Sequence, residues 1–144
     1  MMDMMLVIKP FLGRWVLLAD RSEYQLGQPP QEGFYTLEAN QTQLKVTMAW
    51  VAADGKSFEQ TYNAIPDGQD HPYPDNPAVD TISMTVVNET RLDSDAKKNQ
   101  QVISYAVRQL MDEGRLMKIE MITYLPQGTF TNTAFYARQS DDNR

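Results

Sequence analysis

An all-β chain, folded as an antiparallel up-and-down barrel of about 8–10 strands, follows from three features of the sequence. Apolar and polar residues alternate at period two along much of its length, turn-forming residues separate the alternating runs at hairpin spacing, and no long segment keeps a helical period. A meander of this kind can close on itself, which removes the exposed edges of an open sheet.

Residues 14–19, RWVLLA, form an apolar run after Gly13 and before a polar stretch, as a first strand would. Residues 22–33 hold Gly27, Pro29, Pro30 and Gly33 and read as a loop, because proline has no amide proton for a ladder. A second strand is expected at 34–39, with a turn at Asn40 and Gln41. Residues 43–51 then alternate with Leu44, Val46, Met48 and Trp50 on one face. Asp54 and Gly55 mark a hairpin, since both tolerate the positive φ of a tight connection. The return strand at 57–63 puts Phe58, Gln60 and Tyr62 on one side.

Residues 65–77, IPDGQDHPYPDNP, read as an irregular loop ordered by Tyr73 rather than by a ladder. Alternation resumes over 79–87 with Ile82, Met84 and Val86 together. Asn88 turns the chain into a short strand at 89–92, and the polar stretch 94–101 is expected to be a loop. Residues 101–110 fit a helix through Val102 and Ala106 or a strand through Ile103, Tyr105 and Val107; the β-branched residues favour the strand. Asp112, Glu113 and Gly114 turn the chain into a strand at 115–125, with Met117, Ile119 and Met121 opposite Leu116, Lys118, Glu120 and Ile122. After Pro126-Gln127-Gly128, the final strand at 129–139 carries Phe130, Asn132, Ala134, Tyr136 and Arg138 on one face.

The 144 residues suit one domain, 1–144. A net charge of -6 disfavours nucleic acid as a partner, and the absence of cysteine excludes thiolate chemistry and disulfides. The apolar stretch Met4 to Ile8 is too short for a leader, and no run approaches the roughly 20 residues of a membrane span, so a cytoplasmic protein is expected.

Gly13-Arg14-Trp15 resembles the Gly-any-Trp signature of lipocalins and their calycin relatives, and Tyr136-Ala137-Arg138 resembles the last-strand segment whose arginine packs across that tryptophan. Together with Ser22-Glu23-Tyr24 and Asp54-Gly55-Lys56, the chain is similar to small bacterial lipocalin-like proteins. The resemblance implies a structural role for Gly13, Trp15 and Arg138, with Arg138 over the indole in a cation-π contact. It implies no single function, because the fold hosts several.

Trp50, Phe58, Tyr62, Met84, Tyr105, Met117, Met121 and Tyr124, with Phe135, supply large side chains to line an apolar site with hydroxyl anchors. Binding of a small apolar or amphipathic ligand, without catalysis and without a cofactor, is the leading expectation. One alternative is an enzyme on the same barrel using His71 and loop aspartates, favoured if His71 stands about 3 Å from a carboxylate or tyrosine hydroxyl. The other is a filled barrel serving as a structural or protein-interaction domain, a homodimer among its forms. His71 is the lone histidine, so no metal site is expected. Arg108 and Glu120 would form a buried pair if both faced inward.

Overall fold

The computed structural model describes residues 7–139. Residues 4–6 of the apolar stretch from Met4 to Ile8, and both ends of the expected 1–144 domain, lie outside the described residues. Strands are β1 (Gly13–Leu17), β2 (Glu23–Tyr24), β3 (Glu32–Asn40), β4 (Gln43–Val51), β5 (Ser57–Ala64), β6 (His71–Pro72), β7 (Thr81–Asn88), β8 (Arg91–Lys98), β9 (Gln101–Met111), β10 (Leu116–Leu125) and β11 (Gly128–Arg138). They pair in the order β5-β4-β3-β1-β11-β10-β9-β8-β7-β6, with β2 also on β11. The pairings are antiparallel, and β1 joins β11 with Trp15 opposite Arg138, so the first and last long strands meet as an up-and-down barrel requires.

β1 and β2 follow β11 as one interrupted strand. A single 3-10 turn at Ala19–Arg21 separates them, while the Leu18 amide still donates to the Phe135 carbonyl at 2.7 Å. The ladder ends at β5 on one side and at β6 and β7 on the other, which leaves one seam in the wall.

Three sequence expectations change. The loop expected at 22–33 contains β2 and the start of β3, and the segment at 65–77 contains β6, two residues on the edge of β7 where Pro72 can sit. The short strand at 89–92 and the loop at 94–101 are instead one strand, β8. Several of its polar residues find partners on both sides: outward, Asp93 accepts two hydrogen bonds from Arg91 at 2.9 and 3.0 Å, and inward, Ser94 accepts one from Arg108 at 3.0 Å, while Asp95 Oδ1 is buried without a partner. Residues 101–110 belong to a strand, β9.

The apolar core fills the end of the barrel where β1 begins. Ile8, Phe11, Trp15, Leu37, Leu44 and Leu92 are buried there, with Phe11 delivered by the 3-10 turn Lys9–Phe11. Burying such side chains removes apolar area worth about 1.5–3 kcal/mol each from water. Arg138 fastens this end. Its guanidinium donates to the carbonyls of Leu12 at 2.6 Å and Gly114 at 3.0 Å and to that of Pro10, while Trp15 Nε1 donates to Phe11 at 3.0 Å.

Candidate ligand cavity

Above the apolar plug the barrel holds a cavity of about 400 Å³. Period two sets its lining: Gln60, Tyr62 and Ala64 on β5, Ser94 and Ala96 on β8, Ser104, Ala106 and Arg108 on β9, and Asn132, Ala134 and Tyr136 on β11 all face it. Met48, Ile82, Met84, Ile119 and Met121 give it an apolar wall with soft, adaptable side chains. Tyr35, Met84 and Ile119 belong both to this wall and to the buried core, so they mark the boundary between plug and cavity.

Arg108 stands at that boundary, 2 % exposed. It donates to Tyr35 Oη at 2.7 Å, to Ser94 Oγ at 3.0 Å and to Tyr62 Oη at 3.3 Å. All three partners are side-chain hydroxyls. Burial opposes the guanidinium charge, but the phenol oxygens of Tyr35 and Tyr62 outweigh it and hold the pKa above its ordinary value. Burial in turn raises the phenol pKa of Tyr62 and of Tyr136, which keeps both protonated. Arg108 and Glu120 do not meet. Arg108 registers with Ile119 on the inner face, whereas Glu120 registers with Val107 on the outer face and lies 3.8 Å from Lys118 Nζ.

Of the candidate lining residues, Tyr62, Met84 and Met121 face the cavity. Met117 points the same way but lies fully buried in the plug. Trp50 and Phe58 are cross-strand partners stacked at 5.4 Å; they fall outside the main cavity lining and line a separate surface pocket with Phe34 and Ala49. Tyr105 and Tyr124 fall outside the cavity lining. Tyr105 hydrogen-bonds Asp93 on the outer face, and Tyr124 is 41 % exposed. Phe135 packs against Arg21, whose guanidinium lies 4.3 Å from its ring. The sequence reading missed Tyr24, Tyr35, Ser94, Asn132 and Tyr136 as lining residues; the parity of Arg108 along β9 was the available signal for its neighbours.

A second, smaller cavity of about 210 Å³ lies at the seam, lined by Gln43, Asn63, Ile65, His71 and Pro72 and sharing Ala64, Ile82, Ser83 and Met84 with the main one. Here His71 Nε2 stands 3.0 Å from both carboxylate oxygens of Asp67. Burial disfavours the Asp67 charge, yet the Gln69 amide and His71 outweigh it and lower its pKa below 3.8. Among the described residues no three His, Cys, Asp or Glu side chains gather as a metal site, and no helix is long and apolar enough to cross a membrane.

Neither protein-family models nor curated proteins match the chain. Among solved structures it is similar to the zebrafish ileal bile acid-binding protein complexed with cholic acid, with a TM-score of 0.54 at 10 % identity over 91 % of this chain and 100 % of that one. At that identity the likeness shows the fold alone, an antiparallel up-and-down barrel.

Proposed function

We propose that this chain binds one small amphipathic molecule inside its barrel, the apolar body against Met48, Met84 and Met121 and an anionic end at Arg108. The observation that carries this reading is a buried guanidinium whose partners are hydroxyls and which faces a cavity of about 400 Å³. A carboxylate or sulfonate would bring Arg108 an opposite charge that none of its hydroxyl partners carries, through charge-assisted hydrogen bonds, on the side of the cavity away from the lining residue Asp95. Tyr62 would share that end. The bile-acid binding of the zebrafish barrel agrees with this reading. Gly13, Trp15 and Arg138 support a place among small bacterial lipocalin-like proteins, for which we propose a cytoplasmic role.

Titration calorimetry with dodecanoate and dodecanol tests it. Arg108→Met weakens dodecanoate by about 10- to 100-fold and leaves dodecanol within about threefold. Equal loss for both, or no binding of either by the native protein, sinks the reading.

The contact between His71 and Asp67 favours a second reading, an enzyme working at the seam. It requires a reacting group near the other imidazole nitrogen, and none of the hydrogen bonds among the described residues places a hydroxyl on His71. Native mass spectrometry after incubation with a ligand taken from host extract separates the two: an unchanged ligand mass supports the carrier, a converted one the enzyme.

A further inference from the structure

We propose that the ligand enters and leaves through the seam between β5 and β7, with residues 65–80 acting as a strap over that route. The inference rests on the binding reading above and adds the path and the coupling.

The strap belongs to the β7 side. The Gly68 amide donates to Met84 O at 2.8 Å, β6 registers with β7, Asp80 N donates to Lys97 O on β8 at 2.8 Å, and Asp70 accepts from Lys97 Nζ at 2.9 Å. Toward β5 the contact is between side chains, the ring of Tyr73 meeting that of Tyr62 edge-on at 6.3 Å. Among the described residues no backbone hydrogen bond ties the strap to β5. Separation at this line therefore breaks side-chain packing and spares the ladders, which makes it a low-cost opening.

The seam also lies where the interior is thinnest. The main cavity and the seam cavity share Ala64, Ile82, Ser83 and Met84, so these side chains form the partition between them. Met84, with three rotatable bonds, is the movable part of it. The segment after β2, next to the cavity-lining Tyr24, is held in the opposite manner. Asn132 Oδ1 accepts from the amides of Gln25 and Leu26 at 2.9 and 3.0 Å, Asn132 Nδ2 donates to Leu26 O at 2.9 Å, and Gln25 Oε1 accepts from Thr131 N at 2.7 Å.

Tyr62 couples the route to the anchor. Its hydroxyl accepts from Arg108 and its ring carries the strap contact, so outward movement of β5 withdraws a phenol oxygen from the guanidinium as the path opens. An arriving anion takes the vacated donor.

Stopped-flow fluorescence with 1-anilinonaphthalene-8-sulfonate on the full chain is the test. Asp67→Ala combined with Asp70→Ala removes the strap's internal contact with His71 and its side-chain tie to Lys97, both outside the main cavity, so the strap shifts more readily at the β5 line, and Asp70→Ala alone serves if the pair does not fold. A gate at the seam raises the association and dissociation rates together, by about fivefold or more, with Kd within about twofold. Gln25→Ala, which loosens the segment after β2, leaves both rates unchanged. Unchanged rates in the strap variants, or a rise in both with Gln25→Ala instead, overturn the seam route while the binding reading stands. No binding of the probe by the native protein overturns the binding reading and the route with it.

Discussion

Arg138 lies with its guanidinium carbon 4.2 Å above the ring of Trp15, its direct partner across the β1 and β11 ladder. The same guanidinium reaches carbonyls on the segment before β1 and on the turn before β10, so one side chain ties three parts of the closed end together. Arg138→Ala is expected to cost about 2–4 kcal/mol, from the lost stacking and from carbonyls left without a donor. Urea unfolding measures it, and a cost below about 0.5 kcal/mol would remove Arg138 from the structural frame.

Gly13 makes room for that arginine. Its φ is +119°, a region that side chains rarely adopt, and a Cβ there would stand 3.1 Å from Arg138 Nη1. Gly13→Ala should destabilise by about 1–3 kcal/mol through backbone strain and displacement of the guanidinium. In the double variant with Arg138→Ala the steric part disappears, so the two costs sum to less than their separate values. Strict additivity would show that Gly13 acts through its backbone alone.

Where apolar residues face inward, the sequence was readable. Leu44, Val46, Met48 and Trp50 share the inner face of β4, and Gly13, Trp15 and Arg138 come together at the closed end. Reading failed where a cavity replaces a core. On β9 the inner face takes Ser104, Ala106 and Arg108, small or polar residues that leave room for a ligand, while Tyr105 turns outward. β8 escaped for the same reason, since Ser94 serves Arg108 inside and Asp93 serves Arg91 and Tyr105 outside, leaving no apolar stripe. Tyr35 joins this site from 73 positions away, a contact that only the register of the closed barrel sets.

Met117 and Met121 share the inner face of β10 but occupy different regions. Met117 is fully buried in the plug, whereas Met121 lines the cavity and is 40 % exposed. Met117→Ala should cost about 2–5 kcal/mol and barely change probe affinity. Met121→Ala should cost less than about 1 kcal/mol yet weaken 1-anilinonaphthalene-8-sulfonate by about 3- to 10-fold, through lost apolar contact. Thermal unfolding and probe titration on the two variants decide it; a reversed pattern would move the cavity to the other end of the strand.

Tyr105 provides the matching test on the outer wall. Its hydroxyl donates to Asp93, a carboxylate buried at 3 % exposure and also held by Arg91. Tyr105→Phe removes one of these donors and should cost about 1 kcal/mol. Probe affinity should stay within about twofold of the native value, because the ring faces away from the cavity. A large loss of affinity would return Tyr105 to the binding site.

Asp67 gives the strap a pH dependence of definite sign. Its pKa in the folded chain lies below 3.8, so its contribution to stability is complete above that value and is lost as pH falls through the lower, folded value. Asp67→Asn keeps the shape and one acceptor oxygen but removes the titration. Urea unfolding followed from about pH 5 down to about pH 2.5 should then show a shallower acid limb for the variant than for the native chain. Asp80 and Asp112, whose pKa values are also lowered, titrate in both proteins and cancel in the comparison. Parallel acid limbs would mean that the contact between Asp67 and His71 adds nothing to the strap, which its backbone bonds to β7 and the Asp70 and Lys97 pair then hold.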